Sequence, residues 1–243
     1  MRAFGRWLLL LVLAFVGLQL FFVLRVLSMS WVMPESTAFQ RSQAWQIVMR
    51  DGQLPWRQEW VSLSAVSTKM QRAVLASEDA AFTQHQGIWW QSLESAWEKN
   101  AKAKAQAEKR AQRQPEKPVT VKIVGGSTIT QQLAKNLFLS GERTLLRKAQ
   151  EALITLALET FLSKSRILEI YLNQVEWGEG VFGIEAAAQH YFRKRAAQLS
   201  AWESARLAVM LPRPRYFEKL PQSPYLAQRA ETIVARMNSV VLP

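Results

Sequence analysis

The most hydrophobic stretch of the chain lies near its start. Trp7 to Leu24 reads WLLLLVLAFVGLQLFFVL, 18 residues in which Gln19 is the only strongly polar one. As a helix it spans roughly 27 Å, close to the thickness of a bilayer core. Val26 and Leu27 extend it past Arg25. A secretory leader is the alternative, but its apolar region runs to only about 7–15 residues, so an uncleaved anchor over 1–30 is the expectation. Trp31 stands at interfacial depth, and Pro34 ends the helix. From 31 to 60 no long period is visible, which predicts a connector with one short helix. Apolar positions then fall at three- and four-residue steps. Met70, Ala73, Val74 and Ala76 predict a helix that ends at Ser77-Glu78-Asp79. Thr128 with Gln131 has capping-box spacing, so another helix starts after Gly125-Gly126. Thr144 to Leu162 is the clearest helix, with Leu145, Ala149, Ala152, Leu153 and Leu156 on one face, and Ser163 to Asn173 reads as its continuation. Further helices are expected at Ile184–Phe192, at Leu199–Met210 behind a Ser200/Glu203 capping box, and at Pro224–Val241. No run of alternating strands is present, so 61–243 should form one mainly α domain.

Charge adds a partner class. The 243-residue chain carries a net +12 and a pI of about 10.3, which favours an anionic partner. It has no cysteine and two histidines, which excludes disulfides, thiolate chemistry and a His-rich metal site. Eight Lys or Arg stand between Lys99 and Lys122 against Glu108 and Glu116, and Pro115 and Pro118 interrupt the stretch. We read 99–122 as a mobile, partly helical basic insertion; contact with anionic lipid or nucleic acid is the sharper alternative. Arg2 and Arg6 precede the anchor, so the N-terminus should stay in the cytoplasm and the domain should lie outside it. That placement argues against nucleic acid.

Candidate chemistry sits in two places. GGSTITQQLAKN at 125–136 opens a helix behind two glycines, a geometry that presents free N–H groups to an anion. Lys135, Arg143, Arg147 and Lys148 follow, and then Glu151. The spacing is not that of a Walker A loop. A capped helix with a solvated basic face fits these letters as well as a phosphate site does. Glu151 lies four and three residues after Arg147 and Lys148, the order less favourable to helix stability. The second place is ASEDAAFTQHQG at 76–87, where Glu78 and Asp79 close an apolar helix ahead of Phe82 and His85. Two adjacent acids there are more often a solvated helix end than a catalytic pair.

Taken together, Glu78 to Gly87, GGSTITQQLAKN, RKAQE at 147–151, ILEIYLN at 167–173 and GVFGIEAAAQHYF at 180–192 resemble the peptidoglycan glycosyltransferases. The match covers about residues 60–220, with the motifs in the family's order. The single anchor and the absence of a Ser-x-x-Lys tetrad look like the monofunctional biosynthetic transglycosylases, not the bifunctional relatives with a penicillin-binding domain. The resemblance implies a lysozyme-like helical glycosyltransferase domain that polymerises lipid II at a bacterial inner membrane, with the N-terminus cytoplasmic and the catalytic domain periplasmic. Glu78 then matches the general base and Glu151 the second catalytic glutamate. Ser127, Thr128, Gln131, Gln132, Lys135, Arg143, Arg147 and Lys148 match positions that bind substrate, while Asp79, Phe82 and His85 shape the loop holding Glu78. A divalent cation, Mg²⁺ or Mn²⁺, is expected near the pyrophosphate, with Glu151 as a ligand. Lipid II, the growing lipid-linked glycan and the membrane are the expected partners, with other cell-wall synthesis and division proteins beside them.

Two other classes compete. A lysozyme-like domain with two glutamates can hydrolyse glycan, but a muramidase has no pyrophosphate to stabilise with four basic residues. A membrane-anchored scaffold would use its charge alone and would not need Glu78. This chain also departs from the family pattern just after His85, where Trp89 and Trp90 take the place of an acidic residue.

Overall fold

The structure is a computed structural model that describes residues 2–114, 116, 125–142 and 144–243. Among these, helices dominate as the apolar periodicity requires. α1 (Arg2–Ser28) is the apolar N-terminal helix; an 18-residue window within Ala3–Ser28 has a mean hydropathy of 2.7, and the helix is long and apolar enough to cross a membrane. α2 is Ala38–Asp51, α3 Thr68–Glu78, α4 Trp90–Arg113, α5 Ile129–Phe138, α6 Leu145–Phe161 and α7 Lys164–Gln174. α8 (Ile184–Phe192), α9 (Ala201–Met210), α10 (Pro214–Glu218) and α11 (Pro224–Met237) complete the set.

The core is built by α3, α9 and α11 on one side and by α5, α6 and α7 on the other. Met70, Ala73, Val74 and Leu75 of α3 meet Leu207, Ala208, Ala230 and Ile233, while Ile129, Leu133, Ile154, Leu158 and Leu168 fill the second half. Val26 and Met29, from the last turn of α1 and the turn beyond it, are buried in this same core. α1 therefore grows out of the domain with no linker between them.

Several elements depart from the sequence expectations. The segment 31–60 carries the full 14-residue α2, started by a capping box in which Thr37 accepts from Gln40 N–H and Gln40 reaches back to Thr37 N–H. α2 packs on α5, and the Gln40 amide donates to the Gln174 carbonyl. The expected continuous helix from Thr144 to Asn173 is two helices. Leu162 leaves the helical region and Ser163 caps α7 by accepting from Arg166 N–H, because a hydroxyl at that place satisfies an amide that would otherwise be orphaned. The stretch after Leu211 holds α10, with Pro214 at its first turn. A small sheet was not foreseen. β1 (Arg57–Gln58) pairs parallel to β3 (Val181–Phe182), which pairs antiparallel to β2 (Glu176–Gly178). Part of the basic stretch 99–122 is regular helix, through Arg113 of α4; residues 115 and 117–122 lie outside the described residues.

Candidate active site

Glu78 is the last residue of α3 and Asp79 caps it. The adjacent acids point to different places and do different work. Asp79 is buried, and its carboxylate accepts from Ile129 N–H at 3.0 Å, at the first turn of α5, and from His85 Nε2 at 2.9 Å. His85 Nδ1 in turn accepts from Gly87 N–H at 3.1 Å, which sets its tautomer. Phe82 is buried beneath the loop, with Lys164 Nζ 4.4 Å from its ring centre. Asp79, Phe82 and His85 therefore hold the loop after α3 against the start of α5.

Glu78 turns instead toward a cavity of about 150 Å³ lined by Ser77, Asp79, Trp89, Ser92, Ser127 and Thr128 among others. Its Oε2 accepts from Gln132 Nε2 at 2.9 Å, and Gln132 Oε1 accepts from the Tyr171 hydroxyl at 2.9 Å. The phenol thus fixes which end of the amide faces the carboxylate. Burial raises the Glu78 carboxyl above the ordinary carboxylate range, and the charge of Asp79 adds to that, while the hydrogen bonds from Gln132 and Ser77 and the charge of Arg229 oppose it. Burial also pushes Tyr171 well above the ordinary phenol value, so it remains a donor at working pH. Tyr171→Phe should lower turnover about three- to tenfold, the range for one lost orienting hydrogen bond, and lower the melting temperature by about 2–6 °C because Gln132 Oε1 loses its donor; steady-state rates beside a thermal melt check this.

The second wall is α5 and α6. Thr128 caps α5 with the predicted capping box, and its hydroxyl also donates to Gly87 O at 2.5 Å. Gly87 has a φ of +80°, and a Cβ there would lie 2.6 Å from Thr155 Cγ2 and 2.8 Å from Glu159 Cγ. Only glycine lets the loop press onto α6. Gly87→Ala should cost about 2–4 kcal/mol from the left-handed backbone and the overpacking together, measured by denaturant unfolding. Glu159 meanwhile accepts from Thr130 at 2.6 Å and pairs with Lys164 at 2.8 Å, tying α6 to both α5 and α7.

One turn before Thr155 on α6 is Glu151, 3% exposed. Its carboxylate pairs with Arg147 at 2.7 Å and also with Lys148. This is no ordinary surface pair, since Glu151 is buried while Lys148 remains open to solvent. Arg147 Nε is buried without a hydrogen-bond partner among the described residues. Lys135 sits in the last turn of α5, half-buried. Arg143 lies outside the described residues.

Of the residues singled out from sequence, Glu78, Asp79, Ser127 and Thr128 line one cavity, Gln132 joins them through its bond to Glu78, and Phe82 and His85 lie behind the loop. Gln131 is buried within the capping box, its side chain holding the Thr128 N–H. Glu151, Arg147 and Lys148 form a separate cluster on α6. Sequence reasoning passed over Tyr171, Glu159 and Lys164. Trp89 and Trp90 part company: Trp89 stacks on His85 with ring centres 6.2 Å apart, whereas Trp90 is exposed.

The expected cation has a narrow fit. Glu151 offers one carboxylate with two cations already upon it, and among the described residues no group of three or more acidic, His or Cys side chains is placed to hold a metal. These residues fit a divalent ion that shares its ligands with a phosphate, not one held by the protein alone.

A helical domain that sets a raised carboxyl in a cavity, with a cation cluster on an adjoining helix, has the parts of an acid–base enzyme for an anionic substrate. The profile of the Transglycosylase family matches residues 48–238. The chain is 49% identical over 230 residues to the biosynthetic peptidoglycan transglycosylase of Burkholderia thailandensis, covering 95% of this chain and 84% of that protein. It is 47% identical over 242 residues to the protein of the same name from Herminiimonas arsenicoxydans, covering 98% and 96%. The chain belongs to the transglycosylase family, as a peptidoglycan transglycosylase of cell-wall synthesis.

Proposed function

We propose that this enzyme polymerises lipid II into β-1,4-linked glycan strands in one inverting displacement. The growing strand on its lipid pyrophosphate is the donor and lipid II the acceptor. Glu78 takes the proton from the 4-hydroxyl of the acceptor GlcNAc, and that oxygen attacks the anomeric carbon of the donor MurNAc. The new C–O bond forms as the bond to pyrophosphate breaks, so the linkage changes from α to β. The electron pair leaves with undecaprenyl pyrophosphate.

The observation that carries the reading is Glu78 itself: a carboxyl at a cavity, raised by burial and held by the Tyr171–Gln132 relay. A base works best with its pKa drawn toward working pH. Negative charge develops on the departing pyrophosphate, and preorganised cations oppose it in a low-dielectric site. Arg147 and Lys148, held by Glu151, take that role in this reading, with Lys135 and Arg143 joining them. Ser127 and Thr128 form the donor side, backed by Gln131, which holds the Thr128 N–H, and Gln132, which holds Glu78. Glu151 would hold a divalent cation, which would supply further positive charge against the departing pyrophosphate. α1 would cross the inner membrane once, N-terminus in the cytoplasm, holding the catalytic domain on the periplasmic face where the polyprenyl chain stays in the bilayer.

The test is a pair of assays on full-length protein in bilayers: labelled lipid II, and preformed glycan strands. Polymer from the first supports the reading. No polymer, with shortening of the preformed strands, would replace it with a hydrolase.

A further inference from the structure

Gln19 is the one strongly polar residue in the apolar core of α1. A carboxamide facing hydrocarbon is costly unless its hydrogen bonds are met. They are met here by Gln150 of α6. Gln19 Nε2 donates to Gln150 Oε1 at 3.0 Å, and Gln150 Nε2 donates back to Gln19 Oε1 at 3.0 Å. The two helices run parallel along one another, so Arg147 and Lys148 lie on the N-terminal side of the pair, the cytoplasmic side in the orientation proposed above. At the far end of the contact, the Ser30 hydroxyl donates to Phe161 O at 3.2 Å. Eleven residues separate the two bonds on either strand of the contact, roughly 16 Å of helical rise, so the helices stay in step. Phe22 packs edge-on to Phe138 of α5 at 5.3 Å, and Val26 enters the core.

This register fixes a depth. Trp7 to Leu18, the apolar part of α1 before the pair, spans roughly 18 Å of a bilayer core about 30 Å thick. The Gln19–Gln150 pair then lies in the outer half of the hydrocarbon, with Leu20 to Leu24, about 8 Å of helix, between it and the phosphates. Glu151 is the next residue of α6, and its carboxylate holds Arg147 and Lys148. Slipping α1 by one residue would break both amide bonds and bring Leu18 or Leu20 against Gln150.

We propose that Gln19 and Gln150 are positioning residues: their reciprocal amide pair pins the anchor to α6 and fixes the depth at which the Arg147–Lys148–Glu151 cluster, within one turn of Gln150, meets the lipid-linked substrate. The pin follows from the geometry alone; its effect on turnover rests on the transferase reading above.

The chain has no cysteine, so introduced thiols are the only ones. Full-length Gln19→Cys/Gln150→Cys in bilayers is treated with a short bis-thiosulfonate cross-linker, beside Val12→Cys/Gln150→Cys, two turns out of register on the same face. Digestion and mass spectrometry should give at least about tenfold more cross-linked peptide from the first pair, since seven residues displace the thiol by about 10 Å. Equal yields would overturn the pin. In parallel, Gln19→Leu should raise the half-saturating lipid II concentration about three- to tenfold with turnover at saturation within about twofold, the range for one interhelical hydrogen bond in lipid. Gln19→Leu/Gln150→Leu should cost no more than the single change, because the partner is already lost. Unchanged half-saturation in Gln19→Leu, or fully additive losses, would overturn the positioning role. A wild-type protein that makes no glycan would overturn the transferase reading, and the cross-link yields would still decide the pin.

Discussion

Glu78→Gln should lower polymerisation of lipid II by about 10²–10⁴-fold, the usual contribution of a positioned general base, and make the protein more stable at neutral pH. Both effects come from the same burial. Folding favours the protonated form of Glu78, whose pKa lies above its unfolded value. Between the unfolded and folded pKa the native state binds more protons, so stability falls as pH rises through that window. Above it, the ionised carboxylate sits in a place that disfavours it, and the isosteric amide removes that cost. The amide also keeps an acceptor for Gln132. A gain of 1 kcal/mol would move the melting temperature up by about 2–4 °C in a domain of this size. Activity runs the other way. The base must be ionised, so the wild-type rate should rise with pH through an apparent pKa above the ordinary carboxylate range. Rates over a pH series, with thermal melts of both proteins, check the whole prediction. A mutant that lost activity by unfolding would melt lower, not higher.

Arg147→Ala should cost about 10²–10³-fold in turnover, the scale for losing one preorganised group that stabilises developing charge. The side chain is mostly buried, and one of its terminal nitrogens is committed to Glu151 at 2.7 Å while its Nε has no partner among the described residues. A guanidinium held this way is aimed before the substrate arrives. Arg147→Lys keeps the charge but not the fork, so it should recover only part of the loss. Glu151→Gln should fall in between: Arg147 and Lys148 remain, but the anion that aligns them is gone. Single-turnover measurements across the three variants separate the chemical step from substrate binding. Losses that appear only in half-saturation would mean that the cluster binds the pyrophosphate without acting on its departure.

The parts of this architecture that sequence makes legible are local. The capping boxes at Thr128/Gln131 and Ser200/Glu203 were readable because donor and acceptor stand three residues apart in the chain. Thr37 and Gln40 carry the same signature, yet α2 reads as connector because its apolar face is poorly patterned. The break at Leu162-Ser163 hides because apolar periodicity runs through it, and only the Ser163 hydroxyl betrays the new start. Three strands of two or three residues are too short to alternate. At the site, motif order brought out Glu78 and Glu151. It gave no hint that Tyr171 orients Gln132 or that Glu159 gathers Thr130 and Lys164, since those bonds join residues 29 to 39 apart or depend on where separate helices cross. Nor does sequence tell Asp79 from Glu78: one letter apart, the first is spent on the start of α5 and the second is left facing the cavity.

The central claim is a single inverting displacement with Glu78 as base. The most direct test is the product of wild-type enzyme on lipid II, with the new linkage assigned by NMR and the released lipid quantified. The account predicts β-1,4 linkages, with one undecaprenyl pyrophosphate released for each bond formed. Retained α linkages, or lipid pyrophosphate released with new reducing ends and no glycan bond, would contradict it.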